Sequence, residues 1–362
     1  MPRAQRSINW AAPAIAKRGG SFMCRLNLTY ASSKYDRVEA LRTGEVNVEG
    51  IDLNVMVFPS GRQIFDRMVG GQEFDVSELS AAEFISLRGR GECPFAAIPV
   101  FPSRVFRHGY IFVNRRSGIR APKDLEGRRV GLPLYTQTAA IWLRRHLMHQ
   151  FAVDLDTIRW VEGAVDSPGT HGNAHAPAPL RPAAIERNRS GRPLGELLAA
   201  GEIDAYLGSR KPPCFGTNPD VVRLLPDHHA LERMLFERAR IFPIMHLVAI
   251  RRAVYEQHPW IANSLYAAFV EANSLYAAFV EAKRIARERL RYAGSLAAML
   301  PWLQDEIEEI DEVFGGDPFP YGIEPNRPTL EALVRYMVEQ HFLREEIPIE
   351  TLFVPLPGAR GT

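Results

Sequence analysis

The stretch VFPSRVFRHGY, residues 100–110, brings Arg104, Arg107 and His108 into one short run. A guanidinium is a planar fork that pairs with a carboxylate through two charge-assisted hydrogen bonds. An imidazole titrates near neutrality and moves protons. Together they describe an anion site with a proton carrier, although in an extended strand Arg104 and His108 share one face and Arg107 takes the other. Rim charges are the plainer account of each arginine. His246 sits in the apolar run FPIMHLVAI, residues 242–250, where a histidine is usually a satisfied core residue; if both runs cross between lobes, the two histidines form a proton-transfer pair. A third cluster lies in VGLPLYTQTAAIWLRRHL, residues 130–147, which reads as a strand, breaks at Gly131 and Pro133, and resumes as a helix from Gln137. Thr136, Gln137 and Thr138 stand at that helix start, where unpaired N–H groups and the positive dipole end receive anions. The same hydroxyls serve equally as N-caps. His171 with His175, and His146 with His149, lack acidic partners at a ligand spacing, so no metal is expected.

The elements that must position these residues alternate. RLNLTYA (25–31), IDLNVMVF (51–58), FDVSELS (74–80), FAAIPVF (95–101) and HGYIFVN (108–114) read as strands, with GRQIFDRMVGG and SAAEFISLRGRG as helices between them. A second series follows Pro122 and Gly127, with strands at 129–132, 158–162, 203–208 and 221–225. Residues 163–193, rich in Pro, Gly and Asn, read as a long surface loop. After the lone strand 244–250 the chain reads as mostly helical. Such alternation predicts mostly parallel sheets covered by helices. The expected division is a disordered extension over 1–23, a first lobe over 24–118, a second over 119–240, and a return to the first over 241–362. ANSLYAAFVE occurs twice, at 262–271 and 272–281. Ten residues rotate a helix by about −80°, so the copies cannot present one face to one core, and a functional repeat is not expected.

Composition narrows the function classes. With 362 residues, 46% of them hydrophobic, the chain is long enough for two lobes with their own cores. A net charge of +2, with basic residues spread along the chain, leaves no footprint for nucleic acid. No run reaches a membrane-spanning length, so no membrane partner is expected. Cys24, Cys93 and Cys214 are unpaired in number and dispersed, which favours a reducing, cytoplasmic compartment. The basic N-terminus has a short apolar part interrupted by Pro13, and no secretory signal is expected. Walker A, dinucleotide-glycine and Gly-x-Ser-x-Gly signatures are absent. The oligomeric state, including a homo-oligomer, stays open.

The succession YDRVEAL (35–41), FDVSELS (74–80), IPVFPSRVFRH (98–108), DLEGRRVGLPLYTQTAAIWLRRHL (124–147), GEIDAYLGSRKP (201–212) and FPIMHLVAIRRAVYEQHPW (242–260) resembles the 4,5-dihydroxyphthalate decarboxylase family. It runs in order over about residues 25–355 and departs at the doubled ten-mer, in the helix motif where Trp142 is followed by Leu143, Arg144 and Arg145 in place of Arg-Gly after one residue, and in the loop 163–193. The resemblance implies a two-lobed α/β fold of the type II periplasmic-binding-protein kind, with two hinge crossings and a ligand cleft between the lobes. It implies cofactor-free removal of one carboxylate from a small aromatic dicarboxylate. On it, His246 is expected as proton donor with His108 as second candidate, and Arg104 and Arg107 as carboxylate holders. Tyr135, Thr136 and Thr138 would complete the pocket from the second lobe. Ser77, Glu78 and Ser80, with Tyr35 and Asp36, would meet the ring hydroxyls. A solute-binding protein for a small carboxylate is the competing reading, because one fold serves both tasks. A thiamine-pyrimidine synthase relative would carry a cysteine-rich motif that the three cysteines do not supply.

Overall fold

The computed structural model describes residues 25–48, 50–91, 93–262, 275–296 and 298–355. The expected disordered extension and most of the first ANSLYAAFVE copy lie outside the described residues.

The first lobe begins with β1 (Leu26–Ser33), α1 (Asp36–Arg42), β2 (Ile51–Phe58), α2 (Gly61–Gly71), β3 (Val76–Ser80), α3 (Ala81–Gly89) and β4 (Phe95–Arg104). Helix α2 shows how local sequence sets these limits. Ser60 caps it by accepting the Arg62 N–H, Ile64, Phe65 and Met68 are its buried face, and Gln72 ends it in the left-handed conformation at φ 49°. The second lobe holds β5 (Ile111–Asn114), β6 (Arg129–Leu132), α4 (Thr138–Phe151), β7 (Arg159–Glu162), β8 (Ile185–Arg187), α5 (Leu194–Ala200), β9 (Ala205–Leu207), β10 (Val221–Arg223) and α6 (His228–Ala239). The chain then returns through β11 (Ile244–Arg251) and α7 (Arg252–Gln257), and continues with α8 (Leu275–Arg291), α9 (Leu303–Phe314) and α10 (Arg327–Glu339). The second copy of the ten-mer supplies the start of α8, with Leu275, Ala278 and Phe279 buried.

Two sheets result, in the orders β2-β1-β3-β11-β4 and β10-β5-β9-β6-β7-β8. In the first, β1, β2 and β3 are parallel and β11 runs antiparallel between β3 and β4. In the second, β9, β6, β7 and β8 are parallel, while β5 and β10 are antiparallel additions. Because β5 pairs with β9 and β10, the first crossing falls between Arg104 and Ile111, ahead of the expected boundary at 118. The two crossings lie side by side, with the Val105 N–H donating to the Pro243 carbonyl at 3.1 Å. The loop 163–193 contains β8, three residues too short for a periodicity to show.

The edge strand β4 carries Pro99 and Pro102. Proline offers no N–H to a ladder and is tolerated at edges and bulges. The register against β11 breaks there: His246 faces Ser103, yet Val248 faces Ile98. This bulge flanks His246, the kind of irregularity that re-aims a side chain.

The largest apolar cluster is shared by both lobes. It joins Phe65, Leu79 and Phe101 of the first to Val130, Trp142 and Trp160 of the second, with Leu333 and Tyr336 of α10 between. Separate clusters cover the outer faces, one under α1 and α8, the other under α5.

Candidate active site between the lobes

Strands β1 and β3 end where α2, α3 and α4 begin, and these carboxyl ends border a cleft of ≈ 320 Å³ lined from both lobes. Its floor is His246. The ring stands edge-on to Phe65 with centroids 4.8 Å apart, and its side chain is 22% exposed. Nδ1 lies 3.4 Å from Glu78 Oε2 and 3.5 Å from the Tyr35 hydroxyl, which leaves Nε2 as the outward nitrogen. Gly61 allows this approach, since a Cβ there would stand 3.0 Å from the Phe65 ring and 3.4 Å from His246 Cε1.

Glu78 is fully buried and accepts the Ser33 N–H at 2.8 Å, together with the Ser33 hydroxyl. Burial pushes its carboxyl upward, but hydrogen bonding and charge from His246, with the Ser33 and Tyr35 bonds, outweigh that and hold it below the usual carboxylate range. Burial and then the Glu78 charge raise the Tyr35 phenol, which therefore keeps its proton. The sequence reading of Glu78 as a ligand for ring hydroxyls needs correcting: its oxygens are spent on His246 and Ser33.

Arg107 lines the cleft, donating to the Ser209 carbonyl at 3.0 Å and contacting Met245 Sδ at 3.3 Å. Burial lowers its pKa to about 10, so it is charged at neutrality. Among the described residues it has no carboxylate at ion-pair distance. Arg62, by contrast, is held by Asp66 at 2.7 Å and Glu83 at 3.1 Å, and Arg210 by Asp166 at 2.8 Å. The starts of α2, α3 and α4 also meet here, through Ser60, Ser80 and Gln137. No side chain caps α4, so its first N–H groups add positive potential.

The join at 133–138 has a different task from the one expected of its hydroxyls. Thr138 is buried; its Oγ1 accepts the Ala82 N–H at 3.1 Å and lies 2.9 Å from Ser80 Oγ, tying α4 of one lobe to α3 of the other. Gln137 donates to Ser209 Oγ at 3.2 Å, while its buried Oε1 has no partner and borders the cleft.

Of the residues singled out in the sequence, His246, Arg107, Tyr35, Ser80, Gln137 and Thr138 line the cleft, with Glu78 directly behind His246. The others fall elsewhere. Arg104 is buried against Asn326 Oδ1 at 2.6 Å and the Phe242 carbonyl at 2.8 Å. His108 points away from the cleft to Gln150, 2.9 Å from its Nε2. Tyr135 packs beneath the Arg144 guanidinium, 3.8 Å from the ring centre. Asp36 is exposed and engages Arg37. Ser77 is buried on the other side of β3, and Thr136 is half-buried outside the lining. Arg107 and His108 lie beyond the end of β4, in the irregular crossing segment, where they part from Arg104 and from one another.

Residues absent from the sequence expectation also reach the cleft: Ser33, Arg62, Ser209, Arg210 and His171. Ser209 and Arg210 follow β9, and the rule that ligands bind beyond strand carboxyl ends finds them. His171 comes from the long loop; burial, then Arg210 and Arg62, lower its pKa to about 4, so it is neutral at pH 7.

No family model matches the chain. Among curated proteins, 4,5-dihydroxyphthalate decarboxylase of Comamonas testosteroni is 32% identical over 320 residues, covering 88% of this chain and 92% of that protein. The Pseudomonas putida protein of the same name is 34% identical over 193 residues, 53% of this chain and 74% of its own length. Among solved structures, the periplasmic aliphatic sulphonate binding protein of Escherichia coli is 14% identical, with a TM-score of 0.49 over 91% of this chain and 97% of that one. The motifs that contain Arg107, Thr138, Arg210 and His246 lie in a chain that matches a decarboxylase over nearly its full length, and the chain belongs to the 4,5-dihydroxyphthalate decarboxylase family.

Proposed function

We propose that the chain converts 4,5-dihydroxyphthalate to 3,4-dihydroxybenzoate and carbon dioxide, with His246 as the proton donor. The observation that carries the chemistry is one imidazole, backed by a buried carboxylate, at the floor of a cationic cleft.

The substrate is a dianion at neutral pH. Arg107 and the helix starts receive its carboxylates, and the Gln137 Oε1 without a partner accepts a phenolic hydrogen. Glu78 behind Nδ1 fixes the orientation of the ring, so that Nε2 faces the substrate as the proton-donating nitrogen. The hydroxyl para to the departing carboxylate feeds electrons into the ring, and the carboxyl-bearing carbon takes the proton from Nε2. The carbon–carboxylate bond then breaks, its electron pair restores aromaticity, and carbon dioxide leaves. His246, now neutral, regains a proton from solvent, so each turnover consumes one proton. The half-enclosed site limits the water that would otherwise screen these charges.

The reading places the protein in phthalate breakdown. The free thiols of Cys93 and Cys214 support a cytoplasmic setting, and among the described residues no helix is long and apolar enough to cross a membrane. The test is incubation of the purified protein with 4,5-dihydroxyphthalate, with 3,4-dihydroxybenzoate followed by chromatography and carbon dioxide by trapping. Stoichiometric product is expected. Binding without product would replace this reading with that of a solute-binding protein.

A further inference from the structure

Arg107 and His108 are chain neighbours on the first crossing, yet they serve different spaces. Arg107 lines the cleft, whereas His108 lines a separate hollow of ≈ 430 Å³ on the other side of the crossing. One wall of the hollow is apolar, from Phe106, Leu235, Ile241 and Pro243; the other carries Arg145, Arg238 and His146.

Hydrogen-bond logic fixes what His146 offers. Gln150 takes a hydrogen from His108 Nε2 on its Oε1 at 2.9 Å and donates from its amide nitrogen to His146 Nδ1 at 3.1 Å. An acceptor at Nδ1 puts the hydrogen of a neutral ring on Nε2. Burial, then His108 and Arg145, hold His146 well below its ordinary pKa, hence neutral. The ring is 4% exposed, and Nε2 has no partner. Arg145 Nε is likewise buried without a partner, and among the described residues neither Arg145 nor Arg238 pairs with a carboxylate. The nearby carboxylates are already engaged, Glu232 by the His108 and Gly109 N–H groups and Glu339 by His149 at 2.7 Å.

We infer that this hollow is a second ligand site, for a small aromatic monocarboxylate whose ring lies on the Phe106–Ile241 wall and whose carboxylate meets Arg145, Arg238 and His146 Nε2–H. An occupant would touch both crossing segments at once, through Phe106 and Pro243. The inference does not depend on the decarboxylase reading.

The test follows the histidine ring signals of full-length, histidine-labelled protein during titration with benzoate. Benzoate is expected to shift the His146 and His149 signals in a saturable way and to bind there more tightly than acetate, which lacks the ring. Arg145→Gln with Arg238→Gln should weaken that response about tenfold or more, while any His246 response in the cleft is retained. Silent His146 and His149 signals, equal binding of acetate, or an affinity untouched by the two substitutions would overturn the inference. Should the double variant fail to fold, Arg238→Gln alone, at an exposed position in the last turn of α6, carries the same comparison.

Discussion

His246 is the group on which binding and chemistry can be separated, because it touches the reacting carbon in the proposed mechanism while Arg107 and the helix starts hold the carboxylates. His246→Ala should lower kcat by roughly 10²–10⁴ with substrate affinity nearly unchanged in calorimetry. Wild-type turnover in that variant would remove it as the acid. Glu78→Gln keeps the shape and an acceptor but removes the buried charge, so kcat should fall by about tenfold or more. Glu78 also makes a stability prediction whose sign is set by its lowered pKa. Below its ordinary value of 4.5 the folded chain holds this carboxyl ionised where the unfolded chain protonates it. Its contribution is therefore present above about pH 4.5 and is lost as pH falls through the lower folded value. Urea unfolding of Glu78→Gln should show a smaller loss of stability on acidification through that window than wild type; an equal slope would place the acid sensitivity in other carboxylates.

Arg104 acts between elements. It ends β4 and reaches Asn326, the residue before α10, and the Phe242 carbonyl in the second crossing, with its guanidinium 4.9 Å from the Phe242 ring centre. Arg104→Ala should thus cost about 2–4 kcal/mol of folding stability, from two buried hydrogen bonds and lost packing of the stem. Because the side chain lies outside the cleft, KM should stay within about twofold; a KM effect without a fall in Tm would return Arg104 to the substrate. Elements of this kind were legible in the sequence where patterning was strong. Strand β2 at 51–58 and strand β6 at 129–132 read directly from their apolar runs and the break at Gly131 and Pro133, and helix α2 at 61–71 from its helical spacing. The cleft was half legible: His246, Arg107 and Tyr35 stand in recognisable motifs, but the bulge created by Pro99 and Pro102 decides which residues beside the crossings face the cleft. A one-residue change of face exchanges Arg107 for His108, and no sequence period reports it. His171 and Arg210 were missed because they come from a loop and a strand end whose approach to α2 is tertiary.

The molecule as a whole joins its lobes through one core. Trp142 of α4 donates from its indole nitrogen to the Ile244 carbonyl of β11 at 3.1 Å, and Arg144 of the same helix donates to Gln340 just beyond α10 at 2.8 Å. The Thr138–Ser80 contact closes the seam at the cleft. With Phe65, Trp142, Trp160 and Tyr336 in one apolar cluster, neither lobe can unfold without exposing the other's interior. Calorimetry should accordingly show a single thermal transition, with calorimetric and van't Hoff enthalpies in agreement. A ligand that binds only the folded cleft must raise that one transition. At about 100 times Kd the gain is about 2.7 kcal/mol, which for 362 residues at about 2 cal/mol/K per residue is a rise of about 3–4 °C. Phthalate, which keeps both carboxylates but lacks the para hydroxyl that drives the reaction, is the compound to use, because it is not consumed and is not the monocarboxylate inferred for the second hollow. Two resolved transitions, with only one moved by the ligand, would show that the shared core does not couple the lobes; the cleft would then belong to whichever lobe the ligand protects.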